Sequence, residues 1–427
     1  MTSRRGVLAT LLGTAAAPLA ATLAGCGSSA APLRFWGMGR EGEVVVELLD
    51  SFRREHPGVD VQVEQLPWTA AHEKLLTAFA GDATPDIAQL GNTWVAELAA
   101  LGALAPLDNL IAASSTVQED DYFSGIWRTN VIGERLLGLP WYIDTRLLFY
   151  RRDLLARAGF DHPPRDWDEW LHQLRALKKT GVPCPLILPS NEFEPLLALA
   201  LQQDQDLLRD TNTRGNFEST GFRRALSFYL QLLREGLAPL ESNQQIANVW
   251  QEFGKGTFAF YVSGPWNIGE FRRRLPTPLQ RAWDTAPLPG PPGGQGPGAS
   301  IAGGSSLVVF ERSRRKPEAF KLIEYFSRPE VQGRFYDLTG DLPPRKASWA
   351  WATLARDEHA RAFAQQLEYV RPTPPVPEWE RIVNEMQLFA ARAAAEGTDI
   401  DTTVQALDIE VDGILAKRRW LYQRGRA

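Results

Sequence analysis

From residue 33 onward, short apolar runs alternate with longer stripes of helical spacing. Residues 33–36 form an apolar run closed by Gly37 and Gly39. Val45, Leu48, Leu49 and Phe52 then fall at i, i+3, i+4 and i+7, the core-facing stripe of a helix that His56-Pro57-Gly58 ends. Val59, Val61 and Val63 alternate with Asp60, Gln62 and Glu64, which predicts a half-buried strand; Leu75, Leu76 and Phe79 mark another helix, and Pro85-Asp86-Ile87-Ala88 opens the next strand. Strand, helix, strand, helix implies a mostly parallel sheet.

The alternation resumes after residue 140. Residues 147–150 read as a strand, and Asp166 followed by Glu169 resembles a capping box opening a helix whose Trp167, Trp170, Leu171 and Leu174 share one face. Residues 185–188 and 257–262 predict further strands, with a helix over 222–234 stopped by Gly236. Between 285 and 304, twelve of twenty residues are Pro or Gly, too many for a regular element and suited to a crossover. A strand over 305–310 and a helix with Pro317 in its first turn and Phe320, Ile323 and Phe326 inward follow; helices dominate beyond residue 345. No solenoid-length repeat occurs. The pattern predicts an α/β chain of two lobes, each a mostly parallel sheet flanked by helices, joined more than once around a ligand cleft.

Composition narrows the function. The 427 residues, 44% hydrophobic and 23% charged, exclude disorder and an all-membrane fold. Formal charge is −5, and more acidic still without Arg4 and Arg5 of residues 1–25, which disfavours nucleic acid and anionic membrane surfaces. Fourteen Trp stand against three Met and two Cys. Rigid, flat, amphipathic side chains suit either a Trp-rich core or ligands with flat apolar faces.

Residues 1–25 read as a processing segment: a basic pair, then an apolar and small-residue run leading to Leu23-Ala24-Gly25-Cys26. This motif resembles the bacterial lipobox, in which Cys26 takes the lipid, and Ser3-Arg4-Arg5 resembles a twin-arginine export signal. An uncleaved spanning anchor is the alternative, weakened by Pro18 and the many Ala, Gly and Thr. With Cys26 lipidated, residues 26–32 are a flexible tether and Cys184 is left without a disulfide partner; flanked by prolines, it reads as an inert buried thiol.

Several segments, in order, resemble the extracellular solute-binding proteins of ABC importers, in particular the sugar-binding family that includes maltose- and trehalose-binding proteins. They are Leu33-Arg34-Phe35-Trp36, the turn from Phe52 to Val59, Ala83-Thr84-Pro85-Asp86-Ile87, the run from Gly138 to Tyr150, Phe253-Gly254-Lys255-Gly256-Thr257 with Ser263-Gly264-Pro265-Trp266, and Gly340-Asp341-Leu342-Pro343-Pro344-Arg345. The resemblance implies a periplasmic-binding-protein fold, with residues 33–142 and 289–340 in the N-terminal lobe and 143–288 and 341–427 in the C-terminal lobe. It also implies capture of a sugar, here expected to be a glucose-containing disaccharide such as maltose or trehalose. Delivery would be to a permease with its ATPase, by an exported, lipid-anchored monomer that uses no cofactor, metal or nucleic acid. The chain departs from maltose-type relatives at Asn92-Thr93-Trp94, where a charged group often stands.

A sugar presents hydroxyls that need paired acceptors and donors, and a C–H face that prefers an aromatic plane. Trp266, presented by Gly264-Pro265, is the stacking platform the resemblance implies. Asp144 is a hydroxyl acceptor at the hinge, or else pairs with Arg146 or Arg151; Glu41, at the carboxyl edge of the first strand, is another acceptor or a solvated helix charge. Arg345 is a rigidly held fork for sugar oxygens, or a salt bridge stapling the lobes. Trp36 belongs to the site or the core, and Trp68, Asn92, Trp94, Tyr142, Glu192 and Gly304 are wall positions; Trp141 is also expected near the cleft. The competing class is a secreted glycoside hydrolase using two carboxylates such as Glu41 and Asp144. The five His do not cluster at zinc spacing, and no phosphate-binding loop ends in Lys-Ser/Thr.

Overall fold

Alternation of apolar and polar positions builds two sheets from nine strands: β1 (Leu33–Met38), β2 (Val61–Leu66), β3 (Ile87–Gly91), β4 (Leu139–Asp144), β5 (Leu147–Arg151), β6 (Leu186–Ile187), β7 (Phe260–Ser263), β8 (Trp283–Ala286) and β9 (Gly303–Val309). The structure is a computed structural model and describes residues 31–188, 192–240 and 248–424. The expected signal segment and Cys26 lie outside the described residues. Among the described residues no helix is long and apolar enough to cross a membrane.

The first sheet has the order β2-β1-β3-β9-β4 and the second β8-β5-β7-β6. Both are mixed rather than mostly parallel. β1 runs parallel to β2 and β3, as helical crossovers require, but β9 is antiparallel to β3 and β4. In the second sheet β5 is antiparallel to β7 and β8, and only β6 and β7 are parallel. The exceptions involve strands that enter from the other sheet: β4 passes into β5 through Thr145 and Arg146 alone, and β9 returns through the Pro/Gly-rich segment. Apolar periodicity marks a strand's buried faces, not its direction.

Each sheet is covered on both faces. Phe35, Ile87, Trp141, Leu307 and Val309 pack on one side of the first sheet with the helices Lys316–Phe326 and Pro329–Thr339. Trp36, Met38, Ala88, Leu90 and Val308 pack on the other with the helices Trp68–Ala80 and Asn92–Ala100. In the second sheet Leu148, Phe260 and Val262 face the helices Trp167–Lys179, Thr220–Arg234 and Trp379–Glu396, while Phe149, Ile187, Tyr261 and Trp283 face the opposite cluster. The period of two along each strand produces this division.

The expected helix over Trp167 and Trp170 is present. Asp166 caps it by accepting from the Glu169 amide, Trp167 stacks on Phe228 at 4.4 Å, and the Trp167 indole N–H donates to Gln202. Glu169 returns its bond to the Arg165 amide, one residue before the cap. Cys184 is half-buried, its Sγ 3.6 Å from the Leu186 carbonyl oxygen. The boundary expected after residue 142 falls inside β4, which continues to Asp144.

Candidate ligand-binding site

A cavity of about 600 Å³ lies where the carboxyl ends of β1, β3 and β4 meet helices packed on the second sheet. Such an edge, where the chain changes sheet, is the expected ligand position in α/β folds.

Close backbone approach shapes its first wall. A Cβ on Gly37 would stand 2.7 Å from Gly42 Cα, and one on Gly39, at φ +50°, 2.8 Å from the Trp68 indole. These glycines let the short helix Gly39–Val44 fold back on β1, so that Glu41 and Trp68 reach the cavity side by side. Trp68 remains 37% exposed, unusual for an indole, and tilts against Trp94 at 5.6 Å. Asn92 begins the helix after β3; its Oδ1 accepts from Ser306, while its buried Nδ2 has no hydrogen-bond partner. Thr93 donates to Glu380 at 2.8 Å, joining the first-sheet side to the helix Trp379–Glu396.

The hinge supplies the floor. Tyr142 accepts from the Gln89 amide at 3.0 Å, and Gln89 in turn accepts from the Met38 backbone. Burial, then the charges of Glu41, Asp341 and Asp144, holds the Tyr142 hydroxyl far above its usual range, so it stays neutral. Arg146 donates to Asp144 at 2.9 Å and to Glu194 at 2.6 Å, and its guanidinium lies 4.6 Å from the centre of the Trp266 ring. Burial disfavours the Arg146 charge, but the neighbouring carboxylates outweigh it, and its pKa moves up. Asp144 is pushed up to about 6 by burial, against the attraction of Arg146 and with added repulsion from Glu194.

Trp266 opens the helix Trp266–Arg274 after Gly264-Pro265. Its ring occupies the space a Cβ on Gly264 would need, at 1.8 Å, so only glycine admits this rotamer. One turn on, Glu270 lines the cavity while pairing with Arg273 and Arg274.

Glu41 and Asp341 form the most unusual pair. Glu41 Oε2 and both Asp341 carboxyl oxygens are buried without an N–H or O–H donor, and the two carboxyls neighbour each other. Burial, then the Glu41 charge, drives Asp341 well above the carboxylate range; burial also raises Glu41. A proton held on Asp341 makes it the donor to Glu41 and removes the like-charge clash.

Nine of the eleven expected site residues line this cavity: Glu41, Trp68, Asn92, Trp94, Tyr142, Asp144, Glu192, Trp266 and Gly304. Two do not. Trp36 is a core residue, 4% exposed, under the Lys74 ammonium on the helix-covered face of β1, because that strand runs two residues beyond it. Arg345 is consumed by Asp121 and the Ser327 carbonyl oxygen. Trp141 likewise stacks on Phe335 in the core. Sequence reasoning missed Glu194, Asp341 and Glu380 as lining groups, and weighed Arg146 only as a partner of Asp144. Asp341 lies inside a segment singled out above; Glu380 carries no local signal.

Residues 38–333 match the family described as bacterial extracellular solute-binding protein. The chain belongs to this family. The sugar-binding protein MalE from the phytopathogen Xanthomonas citri is 51% identical, with a TM-score of 0.86 over 92% of this chain and 99% of that one. The diacetylchitobiose binding protein DasA of Streptomyces coelicolor is 22% identical over 327 residues, 76% of this chain and 75% of the relative. The galactooligosaccharide-binding protein of Bacillus subtilis is 21% identical over 381 residues, 86% and 87% of the two chains. This solute-binding protein is therefore an extracytoplasmic relative of the sugar-binding proteins of ABC transporters, and family membership implies a saccharide ligand and cooperation with permease and ATPase subunits. The family is not catalytic, which removes the hydrolase alternative. Consistently, Asp144 is tied to Arg146 and Glu41 faces Asp341. Among the described residues no His, Cys, Asp and Glu group is arranged to hold a metal ion.

Proposed function

We propose that this protein captures a glucose-containing disaccharide, with maltose and trehalose the leading candidates, between two lobes that close on it, and passes it to an importer from a lipid tether at Cys26. The observation that carries this reading is the joint lining of one cavity of about 600 Å³ by three indoles, Trp68, Trp94 and Trp266, and by hydroxyl acceptors on Glu41 and Asp144. Its volume lies in the roughly 300–1,000 Å³ range of small-ligand sites. The indoles offer flat faces to sugar C–H groups, and the carboxylates take paired hydroxyls. The protein acts as a monomer carrying one ligand.

Isothermal calorimetry of residues 27–427 against a panel of mono- and disaccharides tests it. Micromolar binding, about −8 kcal/mol, is expected for a glucosyl disaccharide. Trp266→Ala should weaken that binding at least tenfold with an unchanged far-ultraviolet spectrum. No heat with any saccharide sinks the assignment, and unaltered affinity in Trp266→Ala removes the indole from the site.

A further inference from the structure

The two carboxyls of the cavity wall that neighbour each other stand in unlike fields. Asp341 follows the helix Pro329–Thr339 by two residues, past Gly340 in the left-handed region at φ +88°. The Asp341 amide donates to the Thr339 hydroxyl at 3.0 Å, which fixes the residue at the C-terminal end of that helix, where carbonyl groups disfavour a negative charge. Glu41 lies in the first turn of the helix Gly39–Val44, and its own backbone N–H favours the charged form. One proton therefore serves the pair, and it belongs on Asp341.

The surroundings leave no means of holding a second charge. Among the described residues the cavity is lined by two arginines, and both are engaged: Arg40 with Glu43 at 2.9 Å, Arg146 with Asp144 and Glu194. From β4 the pair meets the neutral Tyr142 and the acidic Asp144, and the Trp68 indole lies beside Glu41. Glu270, on the helix Trp266–Arg274, is paired with Arg273 and Arg274. Both carboxyl residues nonetheless line the cavity, and Glu41 Oε2 and the two Asp341 oxygens take no bond from a protein N–H or O–H of another group. A saccharide supplies hydroxyl donors to such oxygens but no charge, and it displaces water from around them. It suits a pair with one negative charge and not a pair with two.

We propose that Asp341 positions Glu41 through a shared proton and that the cleft captures its saccharide in this protonated form, so that binding at alkaline pH takes up one proton. This rests on the saccharide reading of the cavity. The proton comes from the buffer acid, adds to an Asp341 carboxylate oxygen and forms the O–H that donates to Glu41; nothing is oxidised or reduced.

Calorimetry with maltose and trehalose tests it on the wild type and on Asp341→Asn, from about pH 7 to about pH 9.5, below the usual range of Tyr and Lys. The asparagine amide is uncharged and donates as the protonated acid does. Wild-type affinity should fall as pH rises, towards a limit of about tenfold per pH unit for one proton, and buffers of unlike ionisation heat should show proton uptake. Asp341→Asn should bind within about threefold of the wild type near pH 7 and show neither the fall nor the uptake. Thermal melting at each pH checks that both proteins are folded, and the wild-type profile decides the point alone if the variant does not fold. Level wild-type affinity, proton release, a fall shared by the variant, or a folded variant that binds more than about tenfold weaker near pH 7 overturns the linkage and leaves the saccharide site standing. Failure of the wild type to bind either sugar overturns the saccharide reading and the linkage with it.

Discussion

Asp144 shows how one residue at the hinge responds to competing fields. Burial favours its neutral form, Arg146 its charged form, and Glu194 the neutral form again, and the balance lies at about 6. An unfolded Asp titrates near 3.9. Between roughly pH 4 and 6 the folded chain therefore holds a proton that the unfolded chain has released, so this group's contribution is full below about pH 4 and is lost as pH rises through about 6. The expected consequence concerns ligand-free protein. Melting temperatures of the wild type should fall relative to Asp144→Asn as pH is raised across that window, on top of any constant offset from altered contacts with Arg146. Parallel curves would mean that the carboxyl is solvated as freely as in the unfolded chain.

At the scale of elements, the contact between β9 and β4 sets the geometry of the hinge wall. Gly304 has φ +150°, and a Cβ there would sit 2.3 Å from the Tyr142 carbonyl oxygen, which is backbone and cannot swing aside. Gly304→Ala should therefore separate the strands, displace Tyr142 and Asp144, and cost about 3 kcal/mol in urea unfolding. Gly58→Ala is the control, since a Cβ at 58 meets nothing within 4 Å; equal stability of the two variants would show that the strand contact is plastic. Neighbouring elements also explain what the sequence disclosed. The apolar face of the helix after β1 was legible, but its hydrogen bonding was not: Gly39–Val44, a 3₁₀ turn over Val45–Leu48 and Leu49–Glu55 follow one another on one buried stripe. The alternation of Val61 and Val63 and the helical spacing of Trp167 and Trp170 carry their own answer, because burial of one face is a local property. The partners of Arg345 and Glu380 lie 224 and 287 positions away, at Asp121 and Thr93, and no local pattern encodes them. Trp36 misled because strand ends are read less surely than strand faces, and the two residues to Met38 turned a rim position into a core one.

In the whole molecule the chain passes between the two sheets three times: through Thr145 and Arg146, through the Pro/Gly-rich segment before β9, and after the helix Pro329–Thr339, where Leu342 bridges back to Ile143. Three connections join the lobes, and a ligand favours a closed arrangement only by the contacts it gains there. Thr93 and Glu380 make such a contact from protein alone. The hydroxyl of Thr93 belongs to the first-sheet side, the carboxylate of Glu380 to the second, and they meet at 2.8 Å across the cavity. Burial raises the Glu380 pKa, and the Thr93 hydrogen bond and the nearby His72 oppose that rise, so loss of the bond leaves a buried carboxylate less well served. A hydrogen bond to a charged group contributes about 1.5–3 kcal/mol. If it forms only when the lobes meet, Thr93→Val should weaken saccharide binding about tenfold or more, while the radius of gyration at saturating sugar matches the wild type by small-angle scattering. Thr93→Ser, which keeps the hydroxyl and drops the methyl, should restore affinity. The reverse order, with valine tolerated and serine impaired, would assign Thr93 to packing against the sugar and leave closure to the ligand alone.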